Sequence, residues 1–205
     1  MAAEPGFPEV TLDGRHVRLE PLAPSHLAPL TAAAHDPAIF QYFAVGVNGA
    51  AGMQAFFSEA FDHRDRGHAC PFAIVGKPGD HPIGSTRFGA IDRKHRRAEI
   101  GWTWLAPGWQ RTGVNTEMKY LMLRHAFESL GLLRVEFKTD SLNEKSRRAL
   151  TRIGATEEGT FRNHMVVQGG RVRHSVWFSV TDGDWPVVKQ RLEGLMAAPP
   201  GVRAA

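Results

Sequence analysis

The sequence predicts an α+β fold, a mixed α/β sheet with helices on both faces, and three observations carry that prediction. Hydrophobic periodicity changes repeatedly along the chain between the period of a strand and that of a helix. Three strand-like runs between residues 71 and 105 follow one another at the spacing of an antiparallel meander. The longest helical stripe, over residues 114–130, is apolar across a width that demands burial on two sides.

Each element follows from its own pattern. Residues 16–22 alternate apolar and polar side chains (Val17, Leu19) and read as a first strand. Ser25 then caps a helical segment to His35, and residues 53–65 form a second helix with Phe56, Phe57, Ala60 and Phe61 on one face. Residues 71–76 are a short apolar run, and residues 82–91 follow a Pro-Gly-Asp turn. Residues 97–105 alternate through Ile100, Trp102 and Trp104. The long helix places Tyr120, Leu123, Phe127 and Leu130 on one face, with Met118, Leu121 and Met122 beside them, and Gly131 ends it. Residues 134–139 alternate as a strand, and residues 143–153 make a short helix stopped by Gly154. Two strands, 156–167 and 173–180, meet at a Gln168-Gly169-Gly170 turn, and Asp184 starts a terminal helix. The order β-α-α-β-β-β-α-β-α-β-β-α has no composition shift that would mark a linker. A single domain over residues 9–196 is the expectation, with flexible ends at 1–8 and 197–205, where Ala, Pro and Gly prevail.

Composition excludes several classes. The 205 residues carry 25 basic and 21 acidic side chains, and apolar residues make up 42%. No apolar run approaches the roughly 20 residues a membrane span needs. The N-terminus has neither the basic nor the apolar region of a secretory signal, so a cytoplasmic protein is expected. The lone Cys70 excludes a disulfide framework and reads as buried packing. Ten scattered histidines form no HxH or HxxxH pair, so no metal is expected. Six bases are lysine and nineteen are arginine, a bias that suits an anionic ligand and equally suits GC-rich codon usage.

The stretch Trp104-Leu105-Ala106-Pro107-Gly108-Trp109-Gln110-Arg111-Thr112-Gly113-Val114-Asn115 carries the chemistry. A strand ends, a Pro/Gly loop follows, and a long helix begins. The first N–H groups of a helix are unpaired and lie at its positive end, which suits a phosphate. Gly113 permits close approach and Arg111 adds charge. A plain strand-to-helix turn with a surface arginine is the other reading. No GxxxxGK[ST] or GxGxxG sequence is present.

Gln110-x-x-Gly113-x-Asn115 resembles the Q/R-x-x-G-x-G/A acyl-coenzyme A signature of the GCN5-related N-acetyltransferases (GNAT). Glu99-Ile100-Gly101-Trp102 sits where the family often has E-I-G-Y, and Asn143 to Ser146 through Ile153-Gly154-Ala155 resembles its N-x-x-S/A…L-G-A/F segment. Arg162-Asn163-His164 and residues 175–180 are similar to the branch of ribosomal-protein N-terminal acetyltransferases. The likeness runs from about Gly14 to Leu192. Two positions depart from the pattern. Asn115 stands for Gly or Ala, and Leu150 stands where the family often has the tyrosine that protonates the leaving thiolate.

The resemblance implies a central, mostly antiparallel sheet splayed at the coenzyme site. It implies acetyl-coenzyme A as co-substrate, with backbone groups of Trp104 and Leu105 on the pantetheine arm. It puts the pyrophosphate on the loop of Gln110, Arg111, Thr112, Gly113, Val114 and Asn115. Asn143 is implied to bond the pantetheine, a role compatible with capping its helix, and Ser146 to protonate the thiolate; Ser146 also reads as a solvent-facing first-turn residue. Glu99, on the strand feeding the loop, is the candidate general base, since partial burial would raise its pKa. Its other reading is an ion pair with Arg96, Arg97 or another surface base, and Asp140 and Glu136 are weaker contenders. The acceptor that the resemblance implies is a primary amine, a protein N-terminal α-amine first and a small-molecule amine second, in a site shaped by the loop from Gln41 to Met53 with Trp102, Trp109 and His164 beside it. Arg93 to Arg97 read as a solvated hairpin turn, with a contact to ribosomal RNA or an acidic partner as the other reading, so no direct nucleic-acid contact is expected; nor is a membrane contact, and a homodimer is among the allowed assemblies. The rival class is a non-catalytic acyl-coenzyme A-binding or ribosome-associated module.

Overall fold

Strand alternation sends successive side chains to opposite faces, and here both faces are covered. The computed structural model describes residues 7–197, so most of the two ends expected to be flexible lie outside the described residues. The strands are β1 (Leu12–Asp13), β2 (Val17–Pro21), β3 (Cys70–Gly76), β4 (His81–Asp92), β5 (Arg97–Leu105), β6 (Arg134–Asp140), β7 (Thr156–Val166) and β8 (Val172–Thr181). They form one sheet in the order β1-β2-β3-β4-β5-β6-β8-β7. Every pairing is antiparallel except β5 with β6. The helices are α1 (Leu27–Ala33), α2 (Gly49–Asp65), α3 (Val114–Arg124), α4 (Glu144–Ile153) and α5 (Trp185–Ala197).

Phe72 and Ile74 of β3 join the larger core, with Met118 and Met122 of α3, Ile153 of α4 and Leu192 of α5. Ala73, between them, points to the smaller core built by Leu30 of α1, Met53, Phe57 and Ala60 of α2, and Phe40 and Trp104. The mixed sheet with helices on both faces is therefore as the periodicity predicts. No described helix is long and apolar enough to cross a membrane.

Three local expectations are corrected and one short strand, β1, is added. Ser25 does not cap α1. It lies inside a 3-10 turn, Pro24–His26, where His26 Nδ1 accepts from the Ala23 N–H at 3.0 Å. α2 starts at Gly49 rather than Met53, because Ala50 and Ala51 favour a helix but add no apolar stripe to announce it. β1, two residues long, is too short to show a period. The alternation of β5 also breaks. Ser85 pairs with Trp104 but Arg87 with Gly101, so β5 carries one extra residue, and Trp102 has a φ of 51°. That bulge puts Ile100 against α3 and both Trp102 and Trp104 in the α1–α2 core. The long helix ends in a π-helical turn, His125–Ser129, before Gly131 at φ 62°.

Candidate active site

A sheet opens where two neighbouring strands stop bonding, and β5 and β6 do so early. They pair only at Arg97↔Arg134, Ala98↔Val135 and Glu99↔Glu136. Beyond that, β5 continues with β4 to Leu105 and β6 with β8 to Asp140. The bulge at Trp102 turns β5 away from its parallel neighbour. The gap opens at the carboxyl ends of parallel strands, where open sheets take their ligands. α3 starts after β5 and α4 after β6, so both helix N-termini meet it.

The β5–α3 loop has the chemistry of an anion cradle. Arg111 has a φ of 63°, and the backbone N–H groups of Arg111, Thr112 and Gly113 have no hydrogen-bond partner among the described residues. Successive free amides at a turn, continuous with a helix N-terminus, form a concave anion site. A Cβ on Gly113 would meet nothing within 4 Å among the described residues, so this side of the turn is uncrowded. Thr112 Oγ1 donates to the Trp109 carbonyl at 2.7 Å and accepts from the Val114 N–H at 3.3 Å, which stiffens the turn. The Val114 side chain anchors the helix start in the core. Arg111, Thr112 and Gly113 are exposed and Asn115 is half-buried. Gln110 Nε2 donates to the Leu105 carbonyl at 2.9 Å and its Oε1 accepts from Lys145 Nζ, which links the end of β5 to α4. The Leu105 carbonyl is thus held by Gln110, and the Trp104 ring lies buried against Phe40. These residues fit a pyrophosphate-bearing ligand.

Across the gap, Asn143 caps α4, its Oδ1 accepting from the Ser146 N–H at 3.0 Å. Ser146 is half-buried, and its hydroxyl has no partner among the described residues. Leu150 is buried in the core and offers no proton. Arg152 of α4 donates to Thr116 Oγ1 of α3 at 2.9 Å, tying the two helices together.

Glu99 sits at the last β5–β6 pair, 5% exposed. Its partner is Lys138, at 3.2 Å, and not Arg96 or Arg97. Arg96 donates to the Gly131 carbonyl, while Arg97 pairs with Asp92 and Glu136. Burial raises the Glu99 pKa above the usual carboxylate range although the Lys138 charge opposes it. The weaker contenders are committed elsewhere. Asp140 takes Arg171 at 2.5 Å and the Leu142 N–H at 3.0 Å, and Glu136 takes Arg97 and Arg134. Buried Arg173 donates to Ser175 Oγ at 2.9 Å, and that hydroxyl shares a 3.0 Å hydrogen bond with His164 Nδ1. Burial lowers the His164 pKa, helped by Lys138 and Arg173.

The connection between α1 and α2 is tied to the β7–β8 turn. Gln168 Nε2 donates to the Phe40 and Phe43 carbonyls at 2.7 and 3.1 Å, and Arg173 reaches the Tyr42 carbonyl at 3.4 Å. Trp102 packs in the same core as Phe40, Phe43 and Val47. Trp109 does not flank this loop: its ring lies on Gly76 and His81, at the β3–β4 turn. Burial pushes the Cys70 thiol up to about 12, consistent with packing.

Sequence reasoning missed Lys138, Arg173 and Lys119. The first two carry no motif, and Lys119 sits inside an apolar stripe that reads as core. It also missed Glu117, whose carboxylate accepts the N–H groups of Arg15, His16 and Val17 at 2.6, 2.7 and 3.0 Å.

Comparison with known proteins bears on the family. The model of the acetyltransferase (GNAT) domain matches residues 16–156. A Bacillus subtilis (strain 168) protein named "Putative ribosomal N-acetyltransferase YdaF" is 36% identical over 96 residues, 46% of this chain and 51% of that protein. The match thus spans about half the length of that curated relative. The crystal structure of a GCN5-related N-acetyltransferase from Brucella melitensis is 32% identical, with a TM-score of 0.86, covering 94% of this chain and 88% of that one. Mycobacterium smegmatis RimJ in complex with CoA-disulfide is 21% identical, with a TM-score of 0.72 over 94% and 95% of the two chains, a likeness of fold.

Proposed function

The chain belongs to the GNAT acetyltransferase family, and from that membership we propose that it transfers an acetyl group from acetyl-coenzyme A to a primary amine by direct attack in a ternary complex. The observation that carries the reading is the set of three N–H groups at Arg111, Thr112 and Gly113, unpaired among the described residues, beside strands that part. These amides, with Val114, Asn115 and the Arg111 charge, hold the pyrophosphate. Trp104, Leu105 and the Asn143 side chain border the pantetheine arm, and Gln110 holds the end of β5 in place. The bound coenzyme supplies the activated acetyl group.

Glu99 takes the proton from the attacking ammonium, directly or through water. Its raised pKa brings it closer to neutral pH, where a base works best. Ser146 is the proton donor that the family likeness offers for the thiolate. The acceptor we favour is a protein N-terminal α-amine, which the name of the Bacillus relative supports, followed by a small-molecule amine. Residues 9–196 act as one domain. A non-catalytic coenzyme-binding module is the second reading, favoured by the buried Leu150.

Release of free thiol from acetyl-coenzyme A with a panel of peptides and amines separates the two. Turnover on one acceptor class supports transfer, and coenzyme binding without turnover on any supports the module. Gly113→Trp sets an indole beside the amides and should abolish coenzyme binding measured by calorimetry. Retained affinity refutes the cradle.

A further inference from the structure

A lysine lies buried beside the parted strands, and no carboxylate within ion-pairing distance accompanies it among the described residues. Lys119, on α3 one turn below Thr116, is 6% exposed. Its Nζ is 3.5 Å from Thr103 Oγ1 on β5 and 5.0 Å from the centre of the Phe137 ring on β6. Thr103 follows the bulge, and Phe137 follows the last β5–β6 pair. The amine therefore sits between the two strands where they separate, under the gap that the cradle of α3 opens onto.

The neighbouring charges are already engaged. Glu117 on the same helix is held by three backbone amides, and Arg152 of α4 by Thr116. Glu99 of β5 is paired with Lys138 of β6 and acts on Lys119 only through space. A methionine would fill this space without the desolvation that a lysine suffers, which one 3.5 Å hydrogen bond to Thr103 and the face of the Phe137 ring offset only in part. Burial brings its pKa down from 10.5 to about 7. An acid of that strength is half-charged at neutral pH and is a far better proton donor than a serine hydroxyl.

We infer that Lys119, rather than Ser146, donates the proton that the departing thiolate takes up. The inference rests on the acetyltransferase reading. The acceptor ammonium first loses one proton to Glu99 or solvent, and its nitrogen bonds to the acyl carbon. As the carbon–sulfur bond breaks, the sulfur keeps the electron pair and takes a proton from the Lys119 ammonium. The acceptor nitrogen sheds its second proton as the amide forms, and Lys119 is recharged from that proton or from solvent. The sum is ammonium plus thioester giving amide, thiol and one released proton.

Coenzyme A with its free thiol is the probe. The Lys119 amine and the thiol titrate as a coupled pair, the ammonium and the thiolate each favouring the other, so the ultraviolet thiolate band of bound coenzyme A should appear at lower pH in the wild type than in Lys119→Met. The expected separation is at least about one pH unit, a tenfold shift in the equilibrium. Equal titrations in the wild type and Lys119→Met overturn the inference, as does a shift in Ser146→Ala instead. In turnover, Lys119→Met should lose at least about tenfold in kcat with KM little changed. An aryl thioester, whose thiolate leaves without help, should restore much of it. Lys119→Met should melt at or above the wild-type temperature, which separates lost chemistry from lost folding. In the wild type alone, an NMR pH titration of Lys119 should move to higher pH when coenzyme A binds; no movement counts against the inference. Failure of the wild type to bind coenzyme A would instead remove the proposed function on which all this stands.

Discussion

Glu99 and Lys138 meet at 3.2 Å beside the parting strands, and two opposed effects act on the carboxyl. Burial favours the neutral form and the ammonium favours the charged one, with burial the larger. A base works only when deprotonated, so activity should climb as pH rises through the Glu99 pKa. Because that pKa is raised, the climb lies above the ordinary carboxylate range. Glu99→Gln keeps the shape, removes the base, and should cost roughly a hundredfold in kcat. It should also abolish the acidic limb of the pH profile while leaving coenzyme affinity nearly unchanged. An unaltered limb would take Glu99 out of the mechanism. Position 99 was legible in the sequence because it lies on the strand that feeds the loop. Its partner was not, since Lys138 belongs to another strand and carries no motif.

At the scale of elements, the placing of α3 depends on Glu117. Its carboxylate collects three N–H groups of the β1–β2 turn, and Gly14 makes room: a Cβ there would lie 2.7 Å from the Glu117 carboxyl carbon. Hydrogen bonds to a charged acceptor are the stronger kind. Glu117→Gln swaps one acceptor oxygen for an NH2 that faces other donors, and should destabilise by about 2–4 kcal/mol. The denaturant midpoint should fall with the slope unchanged. A midpoint equal to wild type would show that the staple contributes nothing. Helix α3 itself was legible from its apolar stripe and from Gly113 at its start. The bulge of β5 was not, because an extra residue is visible only against the pairing of β4, and without it Trp102 reads as facing the same side as Ile100.

For the whole molecule, one sheet joins two cores. Trp104 belongs to the α1–α2 side and Trp185 to the side of α3 and α5, and β3 contributes to both through alternate residues. Neither core can lose its helices without stripping a face of the shared sheet. Unfolding should therefore be a single transition, with coincident curves from backbone circular dichroism and tryptophan fluorescence. Two separated transitions would break the proposed single domain over residues 9–196 into independent units.

Order and type of nearly all elements were determined by the sequence alone, because period, turn residues and helix stops act within a few positions of themselves. The Gln110–Asn115 loop belongs with them: a strand end, a glycine and a helix start are local facts. Tertiary structure decided which groups the gap brings together. The parting of β5 from β6, the pairing of Glu99 with Lys138 and the burial of Lys119 against Thr103 and Phe137 depend on contacts between distant elements. A charge is displaced from its ordinary pKa by what buries it and what lies opposite. Both are supplied by other strands and helices, so they stay invisible until the chain has folded.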